Sequence, residues 1–209
     1  MSSESIVEQL GEEQLLPLYT VNDMNFLDKM SEILLANNLH FIEITYRSQL
    51  ASQAIKYLSE AKQLIVGAGT VRTLDQAKDA IDNGAEFIVT PGFSDRVVEY
   101  CLNKDIPIVP GAVTPSEIMR AQNYGIDIVK FFPANVYGGL DAIKALSGPF
   151  YDMKFVPTGG VNSNNYQEFL SYPNIFAVGG SFIISEKEIA KDNGQSANQA
   201  LNHLVTQLN

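Results

Sequence analysis

Eight short runs of β-branched and other apolar residues recur along the chain at intervals of roughly two dozen residues, and this spacing restricts the fold more than any other feature. They are LLPLYTV (15–21), HFIEIT (40–45), LIVGA (64–68), EFIVT (86–90), IPIVPG (106–111), DIVKFF (127–132), KFVPTG (154–159) and IFAVGG (175–180). Between them lie segments of helical period. Phe26, Met30, Ile33 and Leu34 share one face, as do Leu201, Leu204, Val205 and Leu208 near the end. Thr73 with Gln76 and Thr114 with Glu117 have capping-box spacing, and Pro115 falls at a first helical position. Eight strand and helix pairs in 209 residues predict a single domain over 1–209, α/β in class: a (β/α)8 TIM barrel with an additional short N-terminal helix. A doubly wound sheet is the competing architecture, because local pattern does not reveal whether a sheet closes.

Charge and cysteine content exclude several function classes. With 24 acidic against 14 basic side chains the net charge is −10, which opposes affinity for phosphate backbones and anionic membranes, so no nucleic-acid or membrane partner is expected. The single cysteine, Cys101, permits no internal disulfide and fits a reducing, cytoplasmic setting. It shares a helical face with Val97, Val98 and Leu102 and reads as a packed core thiol. MSSESIVEQL lacks a basic start followed by an apolar run, so no leader is expected. Only His40 and His203 are present, without ligand spacing to a cysteine or to each other, so no metal site is expected. VGAGTVR begins like a dinucleotide fingerprint, but Arg72 stands where the third glycine belongs.

In a barrel, chemistry collects at the carboxyl ends of the strands. Lys130 falls in DIVKFF, an otherwise apolar strand, where its ammonium form is destabilised relative to a nucleophilic amine able to form a Schiff base with a ketone. A lysine snorkelling to the rim is the bland alternative. Glu43 in FIEIT is a second ionisable group in another apolar strand, suited to carry protons for imine chemistry, or else simply to pair with Lys130. Arg47, four residues further on, could hold a substrate carboxylate through its planar fork, or be a surface arginine. PTGG (157–160) and GGS (179–181) fall in the two loops where barrels often bind phosphate. The residues alone leave three functions open: an imine-forming aldolase, a phosphate-binding isomerase or synthase using Glu43 for proton transfer, and a non-catalytic sugar-phosphate binder.

The ordered motifs IEITYRS, VGAGTV, TPG, IPIVPG, VKFFPA, GPF, FVPTGGV and AVGGS resemble those of the class I aldolases for 2-keto-3-deoxy-6-phosphogluconate (KDPG) and 4-hydroxy-2-oxoglutarate (KHG). The resemblance implies Lys130 as the Schiff-base lysine and Glu43 as the general acid/base, with Arg47, Thr70 and Pro91 around a pyruvyl group. It implies Thr158, Gly159, Gly160, Gly180 and Ser181 at the phosphate, a homotrimer, and no metal or organic cofactor. The substrates it implies are small keto acids and sugar phosphates. Departures from the resemblance, at Thr20–Asp23, Tyr46 and Asn135, are expected to rim the aldehyde end and leave the gluconate or galactonate epimer open.

Overall fold

The computed structural model describes residues 3–208. Met1 and Ser2 of the N-terminal segment, and Asn209 at the end of the expected domain, lie outside the described residues. All eight apolar runs contain a strand: β1 (Leu15–Tyr19), β2 (Phe41–Thr45), β3 (Ile65–Gly69), β4 (Phe87–Val89), β5 (Ile108–Val109), β6 (Ile128–Phe131), β7 (Lys154–Pro157) and β8 (Val178–Gly180). Every pairing between them is parallel, in the order β5-β4-β3-β2-β1-β8 with a separate pair β6-β7. The first strand therefore lies between the second and the last. A doubly wound sheet does not bring these together, whereas a curled one does.

The strands are shorter than the apolar runs for identifiable reasons. β5 has two residues because Pro107 and Pro110 flank it and neither has an N–H for a ladder. Isolated bridges occupy the two gaps in the order. Gly111 opposes Lys130, with Lys130 N–H donating to Pro110 O at 2.8 Å, while Phe155 opposes Ile175 and Thr158 opposes Gly179.

Alternation along the strands separates two cores. Phe41, Ile65, Phe87, Ile128 and Val156 pack inside the curl, where Ile6 and Leu10 of the N-terminal helix Ser3–Glu13 join them. Ile42, Ile44, Val66, Val129 and Phe155 point the other way, into the layer under the helices. Because side chains alternate with period two, Glu43 follows Phe41 inward and Lys130 follows Ile128 inward.

The same parity explains VGAGTV. A Cβ on Gly67 would lie 2.1 Å from the Phe87 ring, and one on Gly69 would lie 1.9 Å from Glu43 Oε1. These glycines are spaces for inward neighbours across the sheet. Gly67→Ala should therefore destabilise the protein by about 2–3 kcal/mol through overpacking against Phe87, as read by urea unfolding.

Helix starts follow the capping signals. Thr114 and Glu117 form a reciprocal box with Pro115 at the first position of helix Pro115–Asn123. Thr73 accepts from Gln76 N–H at 3.2 Å, but the Gln76 side chain accepts from Arg72 N–H, so this box is only half made. Val97, Val98 and Cys101 are fully buried, and burial pushes the Cys101 thiol up to about 12. Leu102, expected on that face, is instead 40% exposed, since residues five apart on a helix lie about 140° apart. Among the described residues no helix is long and apolar enough to cross a membrane.

Candidate active site

Lys130 and Glu43 meet inside the curl. Lys130 Nζ donates to Glu43 Oε1 at 3.3 Å, with the two side chains 3% and 0% exposed. Their Cα atoms are on β6 and β2, strands without a mutual pairing, so the contact crosses the interior. Gly69 makes it possible by leaving the Glu43 carboxylate room against β3. The Phe132 ring completes the enclosure, its centroid 5.5 Å from Lys130 Nζ.

Burial raises the Glu43 pKa above the ordinary carboxylate value; the Lys130 charge and hydrogen bond, and the more distant Arg47 charge, oppose that rise. The net direction is upward, because neither carboxylate oxygen reaches solvent and only Oε1 has a hydrogen-bond partner among the described residues. The pair thus sets the Lys130 side-chain nitrogen in an apolar enclosure with a carboxyl group able to take or return a proton beside it.

A cleft of about 200 Å³ adjoins the carboxyl ends of the strands. Arg47, Thr158, Gly159, Gly160, Gly180 and Ser181 all line it, so residues from three well-separated stretches of the sequence come together. Gly159 and Gly160 have φ of +84° and +86°, conformations that favour glycine. The carbonyls of Thr158 and Gly159 accept from Ala134 N–H at 2.9 Å and Asn135 N–H at 3.1 Å. Peptide planarity then turns the N–H groups of Gly159 and Gly160 the opposite way from those carbonyls. Thr158 Oγ1 is buried and has no hydrogen-bond partner among the described residues.

Thr70 and Pro91 are not on the wall of this cleft. Thr70 follows Gly69 directly and holds φ +56°, a strained conformation for a β-branched side chain. Pro91 is half-buried, and its carbonyl group would be 2.5 Å from a Cβ on Gly111, so β4 and β5 approach closely just past their ends.

Thr20, expected at the rim, is on the cleft wall, whereas Thr45 and Phe132 escape motif reading. Thr20 and Thr45 face the cleft with their hydroxyl oxygens 2.7 Å apart, and Phe132 lines both the cleft and the lysine enclosure. The available signal was parity, since Thr45 and Phe132 stand two residues after Glu43 and Lys130. His40 lies at the opposite end of β2, with Nδ1 2.8 Å from Glu13, and exposed His203 contacts Gln207. Among the described residues no three His, Cys, Asp or Glu side chains cluster as a metal site.

Residues 6–200 match the family model described as KDPG and KHG aldolase. The chain belongs to this family. A 2-dehydro-3-deoxy-phosphogluconate aldolase of Haemophilus influenzae is 35% identical over 205 residues, covering 98% of this chain and 97% of the relative. A KHG/KDPG aldolase of Escherichia coli K12 is 34% identical over 184 residues, 88% of this chain and 85% of that one. Among solved structures, the KDPG aldolase of Legionella pneumophila superposes with a TM-score of 0.90 at 33% identity, covering 95% of this chain and 97% of the other. That structure has pyruvate captured at low pH as a covalent carbinolamine intermediate. In this KDPG and KHG aldolase family member, the Lys130–Glu43 pair is not on the cleft wall; Phe132, which is, stands against Lys130.

Proposed function

We propose that the protein is a class I aldolase that reversibly cleaves 2-keto-3-deoxy-6-phosphogluconate to pyruvate and glyceraldehyde 3-phosphate through an imine on Lys130. The observation that carries this reading is the buried contact of 3.3 Å between Lys130 Nζ and Glu43 Oε1, with the Phe132 ring standing between Lys130 and the cleft that Arg47 and the glycine loops line. The Lys130 amine attacks C2 of the keto acid, and loss of water from the carbinolamine gives the protonated imine. Glu43 accepts the C4 hydroxyl proton and the aldehyde C=O forms; the C3–C4 bond breaks, its electron pair becomes the C2=C3 bond, and the C2=N pair moves to nitrogen. Glyceraldehyde 3-phosphate departs and the enamine of pyruvate remains. Protonation at C3 and hydrolysis of the imine then release pyruvate and restore the amine.

Arg47, Thr70 and Pro91 are assigned to the pyruvyl end. Thr158, Gly159, Gly160, Gly180 and Ser181 are assigned to the phosphate, through backbone N–H groups and two hydroxyls. The unphosphorylated 4-hydroxy-2-oxoglutarate would use Lys130, Glu43 and Arg47 in the same way, giving pyruvate and glyoxylate. Three isolated bridges across the gaps between sheets support a closed (β/α)8 barrel. One continuous inner core supports a single domain over the whole chain. Assembly as a homotrimer and a cytoplasmic setting complete the reading, the latter supported by the lone buried thiol.

Incubation with pyruvate and borohydride tests the imine. A reduced pyruvyl adduct is expected on the peptide containing Lys130; its absence there by mass spectrometry, or its presence on another lysine, rejects the mechanism.

A further inference from the structure

We propose that Tyr46 is a positioning residue for Arg47, its phenol anchored on Asp79 so that the arginine backbone is held at the edge of the cleft. The inference rests on the reading of Arg47 as the clamp for the substrate carboxylate.

Parity at the end of β2 sets up the arrangement. Thr45 faces inward, Tyr46 turns out toward the helices, and Arg47 turns back to the cleft wall. Tyr46 N–H donates to Gly69 O at 2.8 Å, which extends the β2–β3 ladder one residue past the strand. On the outer side, Tyr46 OH donates to Asp79 Oδ2 at 2.6 Å, on helix Leu74–Asp82. Asp79 Oδ1 is held in turn by Ser52 Oγ at 3.0 Å and Asn83 Nδ2 at 3.2 Å, and Asn83 Nδ2 also reaches Ser52 Oγ at 3.0 Å. The phenol is thus tied into a network that joins helix Leu74–Asp82 to helix Ala51–Ala61, the helix into which the Arg47 loop runs. Beyond Arg47, Ser48 Oγ accepts from Leu50 N–H at 3.0 Å, so both neighbours of the arginine are fixed.

Arg47 itself is exposed, and no ion pair among the described residues involves it. A long side chain without a partner is placed only by its backbone, and a bidentate fork tolerates little displacement. An exposed arginine at a strand end would otherwise scan a wide arc. The outward hydrogen bond narrows that arc without placing another group in the cleft.

Steady-state kinetics on the full chain test the proposal. Tyr46→Phe keeps the ring and removes the hydroxyl; it should raise KM for the keto acid about fivefold and leave kcat within about twofold. Borohydride trapping at saturating pyruvate should remain complete, because Lys130 is untouched. In an Arg47→Met background, Tyr46→Phe should change KM by less than about 1.5-fold, since its effect passes through the arginine. Equal factors in the two backgrounds, or a fall in kcat at unchanged KM, would overturn the assignment and make Tyr46 a general fold element. If Arg47→Met leaves KM unchanged, the clamp reading fails and the Tyr46 assignment with it. A normal Arg47 effect with no Tyr46 effect removes the Tyr46 assignment alone. Should Tyr46→Phe not fold, Asp79→Ala removes the acceptor from the other side and carries the same comparison.

Discussion

Lys130→Arg should lower kcat for keto-acid cleavage by on the order of 10³–10⁶-fold and abolish the borohydride-trapped adduct, while the protein remains folded. Arginine preserves the positive charge beside Glu43 and a side chain long enough to cross the interior, so electrostatic support of the carboxylate is largely retained. Only the chemistry is removed, because a guanidinium is protonated throughout the accessible pH range and forms no carbinolamine. That separates an imine mechanism from an isomerase or synthase in which Lys130 acts only as a charge; the latter would keep appreciable turnover. Thermal melting provides the control. The Phe132 ring, 5.5 Å from the Lys130 ammonium, offers the guanidinium a face to stack on, so a modest change in Tm is expected. Substantial turnover by a folded Lys130→Arg protein would end the imine reading.

The strands were legible because parallel strands buried on both faces need nearly unbroken apolar runs, and each such run holds one. Their ends were less legible. Nothing local in LLPLYTV says that the strand stops at Tyr19, or that the Thr20 hydroxyl then meets that of Thr45, 2.7 Å away at the end of β2. The pairing of β1 with β8 is likewise a property of closure at a distance, between residues such as Leu16 and Gly179. In the site, Lys130 and Glu43 were conspicuous as charges in apolar surroundings, although 87 residues separate them. Gly69 was not, because a missing side chain carries no chemistry of its own. Its role is visible only with the Glu43 carboxylate packed against it. Arg47 and the glycine loops come together in one cleft as their positions after β2, β7 and β8 predicted. Thr70 and Pro91 lie off that cleft; their loops follow β3 and β4, further round the sheet from β8.

Glu43→Gln should lower kcat by about 10²–10⁴-fold while still allowing a pyruvyl adduct to accumulate slowly on Lys130. The amide occupies nearly the same space beside Gly69 and can accept from Lys130, so the enclosure survives and only proton transfer is lost. The pH dependence isolates that loss. At saturating substrate the lysine is already in the imine, and kcat reports groups in the bound complex. Burial raises the Glu43 pKa above its ordinary value of 4.5, so Glu43 becomes protonated as pH falls through a value higher than that. Once protonated it no longer accepts the C4 hydroxyl proton, and wild-type kcat should decline on that acid side. The residual kcat of Glu43→Gln should lack this limb, having no carboxyl group to titrate. The opposing Arg47 charge gives the assignment a second handle. Arg47 lowers the Glu43 pKa, so Arg47→Met should shift the limb to higher pH. An acid limb unchanged in Glu43→Gln would show that another group carries the proton, and the lysine would then need a different partner.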